Sequence, residues 1–507
     1  MSTMRAFAPE PAPAPAKAPT APVTRVGRNT AFRVAAQAVS AIINVAGMVL
    51  LGNYLSASGY GQYAFYYALI PLLSSVADLG AGVILTREVA RTAASANRCL
   101  GDALMLRGTV AVVLLAVAGV VSSLTLPPAS ALLVMIVTAA AVLDFGQDVS
   151  VWMMRASERL DLEAVMLLVS QSAWILGIAL GVAFGATLPL LLGTAVGAFL
   201  LRSVVGALLV SRLGLKPDFS PAMARFRRLV AEGWPVAISL LIVVLYGRVG
   251  VFSLKALASD AEVACFNVAY MLSQPFGFLG SSLAMAAFPA FARMSGGTTP
   301  DLSRPLRAAF KYQLLVSLPL AAALVALAGR IVPMLFHDAS GYARAAAALG
   351  ITSLALPFVF VNLQSRYLLA AIGRQRVYLW GVAAGLTANV IGCALTVPTW
   401  GVMGAAWTFV GAEILVFAVC HPAMSSHVSH AALLGQALRP ALAALLMAAA
   451  IFALHGVALP VTVLAGALVY VLALFLVRAL SREEWGVLRN VLRSFRMSRA
   501  AGDRSPS

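Results

Sequence analysis

The 36 lysines and arginines of this 507-residue chain fall almost entirely in alternate gaps between long apolar runs. There are fourteen such runs, at about 30–55, 62–86, 103–125, 129–154, 164–185, 188–211, 229–256, 264–291, 308–328, 344–370, 376–397, 400–420, 437–455 and 458–478. With the N-terminus in the cytoplasm, 31 of the 36 basic residues lie on the cytoplasmic side. The outside gaps hold only Lys255, Arg330 and Arg344, and two residues, Arg202 and Arg248, stand inside runs. Cationic side chains resist translocation, so this bias predicts both termini in the cytoplasm. A helix needs roughly 20 apolar residues to cross the hydrocarbon, and the runs reach that length. They are continuous rather than alternating, which predicts an all-α integral membrane protein of about 14 transmembrane helices and not a barrel.

Composition closes off other classes. Apolar residues make up 61% of the chain and charged residues 11%, where a soluble domain carries about 25% charged. A net charge of +17 invites a nucleic-acid reading. The distribution argues against it: the charges are spread over loops and the C-terminal tail, where anionic lipid headgroups account for them. No nucleic-acid partner is expected. Cys99, Cys265, Cys393 and Cys420 lack the spacing of a disulfide or metal framework and read as small apolar fillers, with Cys99 in a cytoplasmic loop. His421, His427 and His430 share one loop without a metal-ligand pattern. No cofactor or metal is expected. There is no G-x-x-x-x-G-K-[ST], so no ATP-binding loop, and no H-E-x-x-H. Active transport would draw on an ion gradient or on the substrate's own gradient. The first apolar run is too long for a signal-peptide core and reads as a retained span.

The runs suggest five segments. Residues 1–28 are a Pro/Ala-rich tail expected to be disordered. Residues 29–215 and 225–422 each hold six runs, 437–480 hold two more, and 481–507 form a basic tail able to lie on the membrane surface. The two six-run halves begin on the same side, so they can be parallel repeats. A shift of 203 residues lays Tyr63 on Phe266 and Tyr67 on Tyr270. Pro71, Pro235, Pro275, Pro319 and Pro357 permit bends within runs. Most outside gaps are very short, and the longest is expected at about 329–343.

Ionisable groups inside spans are the sharpest site signal. Each costs roughly 2.5–3.5 kcal/mol at mid-helix, so it faces a cavity or a partner. The candidates are Asp78, Asp144, Asp148, Arg202, Arg248 and Glu413. Asp144 and Asp148, four apart, share a helix face with Trp152, and two desolvated carboxylates this close do not both ionise readily. With Asp78 and Glu413 they are candidates for ion coupling. The guanidinium fork of Arg248, and secondarily of Arg202, suits an anionic lipid headgroup. The competing readings are a structural ion pair for Arg248, snorkelling toward the cytoplasm for Arg202, plain solvation near the inner interface for Asp148, and a pairing or packing role for Asp78 and Glu413.

Three blocks carry a family resemblance: LGNYLSASGYGQYAFYYALIPLLSSVADLGAGVILTREVAR from Leu51, GWPVAISLLIVVLYGRVGVF from Gly233 through to Arg293, and Leu356 to Glu413 with its L-x-A-x-G-[RK]-Q and G-x-x-G-A-A elements. VWMMRASERLDLEA from Val151 adds to them. The chain resembles the Wzx-type polysaccharide flippases of the multidrug/oligosaccharidyl-lipid/polysaccharide exporter superfamily over roughly residues 25–480. The resemblance implies two six-helix bundles around a central cavity, plus two C-terminal helices. It implies flipping of undecaprenyl-diphosphate-linked oligosaccharide across a bacterial inner membrane by alternating access, for exopolysaccharide, capsule or O-antigen synthesis. It also implies membrane lipids as partners, with a polymerase and glycosyltransferases of the same pathway. The sequence departs from the family where relatives commonly carry an acid after the Arg-Val of the seventh run. Gly250 stands there, which leaves Arg248 without a local counter-charge. A lipid II or drug/cation exporter of the same fold is the nearest alternative. A polymerase or ligase would need catalytic polar groups or a sizeable outside loop, and a passive scaffold would leave the buried charges unexplained.

Overall fold

The computed structural model describes residues 23–92, 95–157, 159–219, 223–294, 303–338, 340–425 and 430–479. Among these residues the chain forms nineteen α-helices and no strand. The expected basic tail at 481–507 and most of the Pro/Ala tail lie outside them. The first helix, α1 (Val23–Tyr54), already starts directly after Pro22, the last proline of the Pro/Ala stretch, ahead of the expected boundary at 28.

Six further helices follow in the first half: α2 (Ala57–Asp78), α3 (Ala81–Arg91), α4 (Ala96–Thr125), α5 (Pro128–Ala156), α6 (Leu160–Ala183) and α7 (Leu188–Arg212). The second half comprises α8 (Met223–Tyr246), α9 (Val249–Leu257), α10 (Asp260–Ser273), α11 (Gly277–Met294), α12 (Ser303–Leu335), α13 (Ala345–Ser353), α14 (Leu356–Ala371), α15 (Gln375–Trp400), α16 (Val402–Cys420) and the single turn α17 (Pro422–Ser425). A last pair, α18 (His430–Ala453) and α19 (Leu459–Leu476), packs on itself and on α12.

Eleven helices are long and apolar enough to span a membrane, twelve if the pair α13–α14, bent by 42°, counts as one. The fourteen expected runs include two others. The run at 62–86 divides into α2 and α3, and α2 carries tyrosine, serine and glycine toward the interior. The run at 264–291 is interrupted at Pro275 by a 3-10 turn, Gln274–Phe276. Large apolar residues such as Leu124, Phe184 and Leu476 remain mostly exposed on the outer faces. So much apolar surface suits acyl chains rather than water.

The packing repeats between halves. α1 lies on α6 as α8 and α9 lie on α15; α5 lies on α7 as α14 lies on α16; α6 pairs with α7 as α15 pairs with α16. α2 and α10, the pair aligned by the 203-residue shift, pack on each other at the centre. The proposed repeat thus has a structural counterpart in which α2 and α10 meet where the two halves join.

Two breaks were not foreseen. α2 ends at Leu79 and Gly80, both left-handed. A side chain on Gly80 would collide with the backbone of Gly233 on α8, so glycine is needed there for conformation and for space. α8 ends at Tyr246 and Gly247, immediately before Arg248. The gap expected at 329–343 is shorter, because α12 continues to Leu335. Its Arg330 stays within the helix because the guanidinium reaches Thr462 Oγ1 and the carbonyls of Leu454 and Val457 in the α18–α19 turn. Cys99 lies buried in α4 rather than in a loop, and all four cysteines are free and buried.

Candidate functional site

The halves touch at both ends. At the end that the charge bias assigns to the outside, Asn53 donates to the Leu335 carbonyl (2.7 Å) and accepts from the His337 backbone N–H (2.8 Å). The Tyr342 hydroxyl donates to the Gly52 carbonyl (3.0 Å), and Gln62 donates to Asp260 (3.1 Å), which also pairs with Lys255 (2.5 Å). Deeper, Asn267 donates to the Tyr60 hydroxyl (2.8 Å). At the opposite end Arg225 pairs with Asp102 (2.9 Å), the Asp218 N–H donates to the Asn97 carbonyl (3.0 Å), and Gly80 abuts Gly233. Backbone and side-chain groups thus bond across the junction at both ends.

Between these contacts a cavity of about 670 Å³ opens between α2, α3, α5 and α8. Asp78, Asp144, Asp148 and Trp152 line it, so the shared face expected for the last three is real. The Ser74 hydroxyl donates to Asp144 (2.9 Å), and Gln147 donates to Asp144 (3.2 Å) and Asp148 (3.3 Å). Arg107 enters from α4, only 4% exposed, and pairs with Asp78 at 2.7 Å. Its guanidinium lies 4.1 Å from the centre of the Trp152 ring and 5.1 Å from that of Phe145. A desolvated cation is held by such ring faces as well as by its counter-ion. Two of its nitrogens, Nε and Nη1, are buried without a partner, and Asp148 and Asp144 lie within its electrostatic reach. Arg202, on α7, lies within electrostatic reach of Asp144 and Asp148, and among the described residues it has no direct ion pair and its buried Nε has no partner. At the mouth Arg155 closes a bidentate pair with Glu163 (2.6 and 3.1 Å).

Arg248 stands apart, at the break between α8 and α9. Its side chain has no hydrogen bond or ion pair among the described residues. It lines a small cleft with Asn44, Tyr63, Tyr67, Trp174 and Asn267. It lies near the hydroxyls of Tyr67 on α2 and Tyr270 on α10, the residues matched by the internal repeat. Tyr67 stacks on Tyr63 (5.6 Å between centres) as Tyr270 stacks on Phe266 (6.1 Å). Gly250 gives way to Phe266, whose ring occupies the space that a side chain there would need. An acid at that position would require the ring to move.

Glu413 is buried on α16, 6% exposed. It accepts from Asn362 Nδ2 at 2.7 Å, and Tyr246 and Tyr270 lie close by. The six residues singled out in the sequence therefore divide in three. Asp78, Asp144, Asp148 and Arg202 come together in the first half, Glu413 is alone in the second, and Arg248 lies at the junction. Sequence reasoning missed Arg107. It sits five residues inside the apolar run 103–125, but it was counted with the neighbouring cytoplasmic charges. Its depth was the available signal.

The sequence profile described as "Polysaccharide biosynthesis protein" matches residues 26–295, more than half of the chain, and the MatE profile matches residues 235–396. Among solved structures, the lipid II flippase MurJ in an inward closed conformation superposes with a TM-score of 0.71 at 15% identity, covering 89% of this chain and 98% of its own. An inward-facing multidrug resistance MATE family transporter of the MOP superfamily gives 0.59 at 15%, covering 79% and 99%. A MOP superfamily transporter from Pyrococcus furiosus gives 0.56 at 15%, covering 82% and 95%. No curated protein matches the chain in sequence. The chain shares the fold of these solved flippase and transporter structures. By the match over residues 26–295, this multi-pass membrane protein belongs to the polysaccharide biosynthesis protein family.

Proposed function

We propose that the chain flips undecaprenyl-diphosphate-linked oligosaccharide across the bacterial inner membrane, with both termini cytoplasmic, in the synthesis of an exopolysaccharide, capsule or O-antigen. One observation carries this reading: Arg248, at the junction of the halves, has no protein counter-charge among the described residues, while the other deep arginines, Arg107 and Arg202, face carboxylates. A guanidinium at that depth is costly unless an anion meets it, and a diphosphate matches its planar fork. Tyr67 and Tyr270 offer hydroxyls from both halves at the same place, so a cargo held there would feel the halves move against each other. Opening and closing would use the contacts at the two ends in turn.

Coupling to an ion is assigned to the first-half cavity. Asp78, Asp144 and Asp148 face two guanidiniums, Arg107 and Arg202, which leaves one negative charge for a proton or a monovalent cation to meet. Glu413 is the second candidate. The glycosyltransferases and polymerase of the same pathway are the expected partners.

The test is export in cells lacking the native protein. Arg248→Ala, present in the membrane at normal amount, should halt polymer export while lipid-linked repeat units accumulate. Full export by this variant would remove the assignment. Accumulation of lipid II, or loss of drug efflux alone, would favour another exporter of the same fold.

A further inference from the structure

A second concave site lies where the starts of α12 and α18 meet the end of α19. It has a volume of about 430 Å³ and is lined by Arg307 and Lys311 of α12, Gln436 and Arg439 of α18, and Arg478 just beyond α19. Four cationic side chains thus line one hollow, and among the described residues no carboxylate lines it. The three helices that form it are candidate spans, and all three are entered or left at this point. The hollow therefore sits at a membrane–water boundary.

One of these cations also ties the helix ends together. Arg439 Nη1 donates to the Arg478 carbonyl at 2.9 Å, which ties α18 to the end of α19. Arg478 occupies the left-handed position that ends α19, with φ of 49°. Glycine is the usual residue at such a helix end, and only one other non-glycine described residue, Leu79, has positive φ. An arginine there adds a cation to the hollow against backbone preference. On α12, Arg307 and Lys311 fall on one helical stripe with Leu318, Ala322 and Val325. These last three line an apolar groove of about 620 Å³ between α12, α14 and α18. A basic hollow at the interface, continued along one helix stripe into an apolar groove, has the order of a lipid: headgroup, then chains.

We propose that this hollow binds the phosphate headgroup of a membrane lipid, with Arg307, Arg439 and Arg478 as its contacts. Clusters of basic residues at this depth attract anionic headgroups, and the guanidinium fork suits a phosphate. The same chemistry has two sources, an anionic phospholipid or the diphosphate of a polyprenyl-linked cargo. Neither needs Arg248 or the acidic cavity, so the proposal stands or falls apart from the transport reading.

The experiment is binding to the full chain in nanodiscs, read by native mass spectrometry and by titration. Its probes are phosphatidylglycerol, phosphatidylcholine and undecaprenyl diphosphate. The wild type should retain phosphatidylglycerol or undecaprenyl diphosphate in preference to phosphatidylcholine, and which one it retains names the source. R307A/R439A should weaken that binding about thirtyfold, the equivalent of about 1 kcal/mol for each arginine removed. R212A/K216A, which removes two exposed cations at the end of α7 and just beyond it, should leave it within about twofold, as expected for a diffuse surface charge. R439K, which keeps the charge but not the fork, should fall between. Equal retention of phosphatidylcholine, or equal loss in R212A/K216A and R307A/R439A, would overturn the proposal.

Discussion

Arg107 and Asp78 form an ion pair 2.7 Å long inside the first-half bundle, with side chains 4% and 14% exposed. The pair joins α4 to the last residue of α2, immediately before the left-handed break at Leu79 and Gly80. Removing one member strands the other charge away from water, which costs roughly 3–5 kcal/mol, whereas removing both costs much less. Arg107→Ala and Asp78→Ala should each lower the thermal midpoint in detergent more than the double variant does. A double variant as unstable as the sum of the singles would mean that the pair is not energetically coupled.

At the opposite end Glu262 has two partners of unequal weight. Its carboxylate accepts from Arg344 Nη1 (2.6 Å) and from the N–H of Val402, the first residue of α16 (2.6 Å). Arg344 is 61% exposed, and exposed pairs contribute about 0–1 kcal/mol. A carboxylate capping a helix start contributes about 0.5–2 kcal/mol and adds a favourable dipole term. Glu262→Ala should therefore destabilise clearly more than Arg344→Ala in parallel thermal melts. The reverse order would place the weight on the ion pair instead.

How much of this was legible depends on the physics behind each feature. The helical, membrane-spanning state of the runs was readable because burial in lipid leaves a long, simple signature; their number was not, since eleven or twelve helices rather than fourteen are long and apolar enough to span. The breaks at Gly80 and Gly247 were not readable as such. Their need comes from close contact with Gly233 and from the path of α8, which no local pattern encodes. Asp78, Asp144, Asp148 and Arg202 were each visible as a charge at depth, but their convergence depends on α2, α5 and α7 packing together. Arg107 was lost because a ledger of charges by loop cannot tell an arginine at a span's end from one turned into the bundle. Gly250 showed as a departure in the sequence, and its reason, the ring of Phe266, appeared only in three dimensions.

The absence of a counter-charge beside Arg248 yields its own prediction. Gly250→Asp would place a carboxylate two residues from Arg248, but it would also push on Phe266. Gly250→Asp with Phe266→Ala should relieve the clash and still abolish export, because the new acid competes with the cargo's phosphate. Gly250→Ala with Phe266→Ala should retain most export. Equal activity of the two double variants, both measured as polymer released per unit of membrane-inserted protein, would show that charge at this position is irrelevant.

The remaining question is which acid carries an ion. Asp148 has weaker support than its neighbours: Gln147 reaches it at 3.3 Å, while Asp144 holds both Ser74 and Gln147, and Asp78 holds Arg107. Glu413 is satisfied by Asn362. The least satisfied carboxylate stands to gain most from a bound proton or cation. In proteoliposomes carrying a fluorescent lipid-linked substrate, imposed proton or sodium gradients should therefore accelerate flipping by the wild type. Asp148→Asn should lose that acceleration while keeping a slow, gradient-independent rate, roughly tenfold below the driven one, an estimate equal to about 1.4 kcal/mol of lost coupling. Glu413→Gln should keep the acceleration. If Glu413→Gln loses it and Asp148→Asn does not, coupling belongs to the second half, and the acidic cavity of the first half serves structure alone.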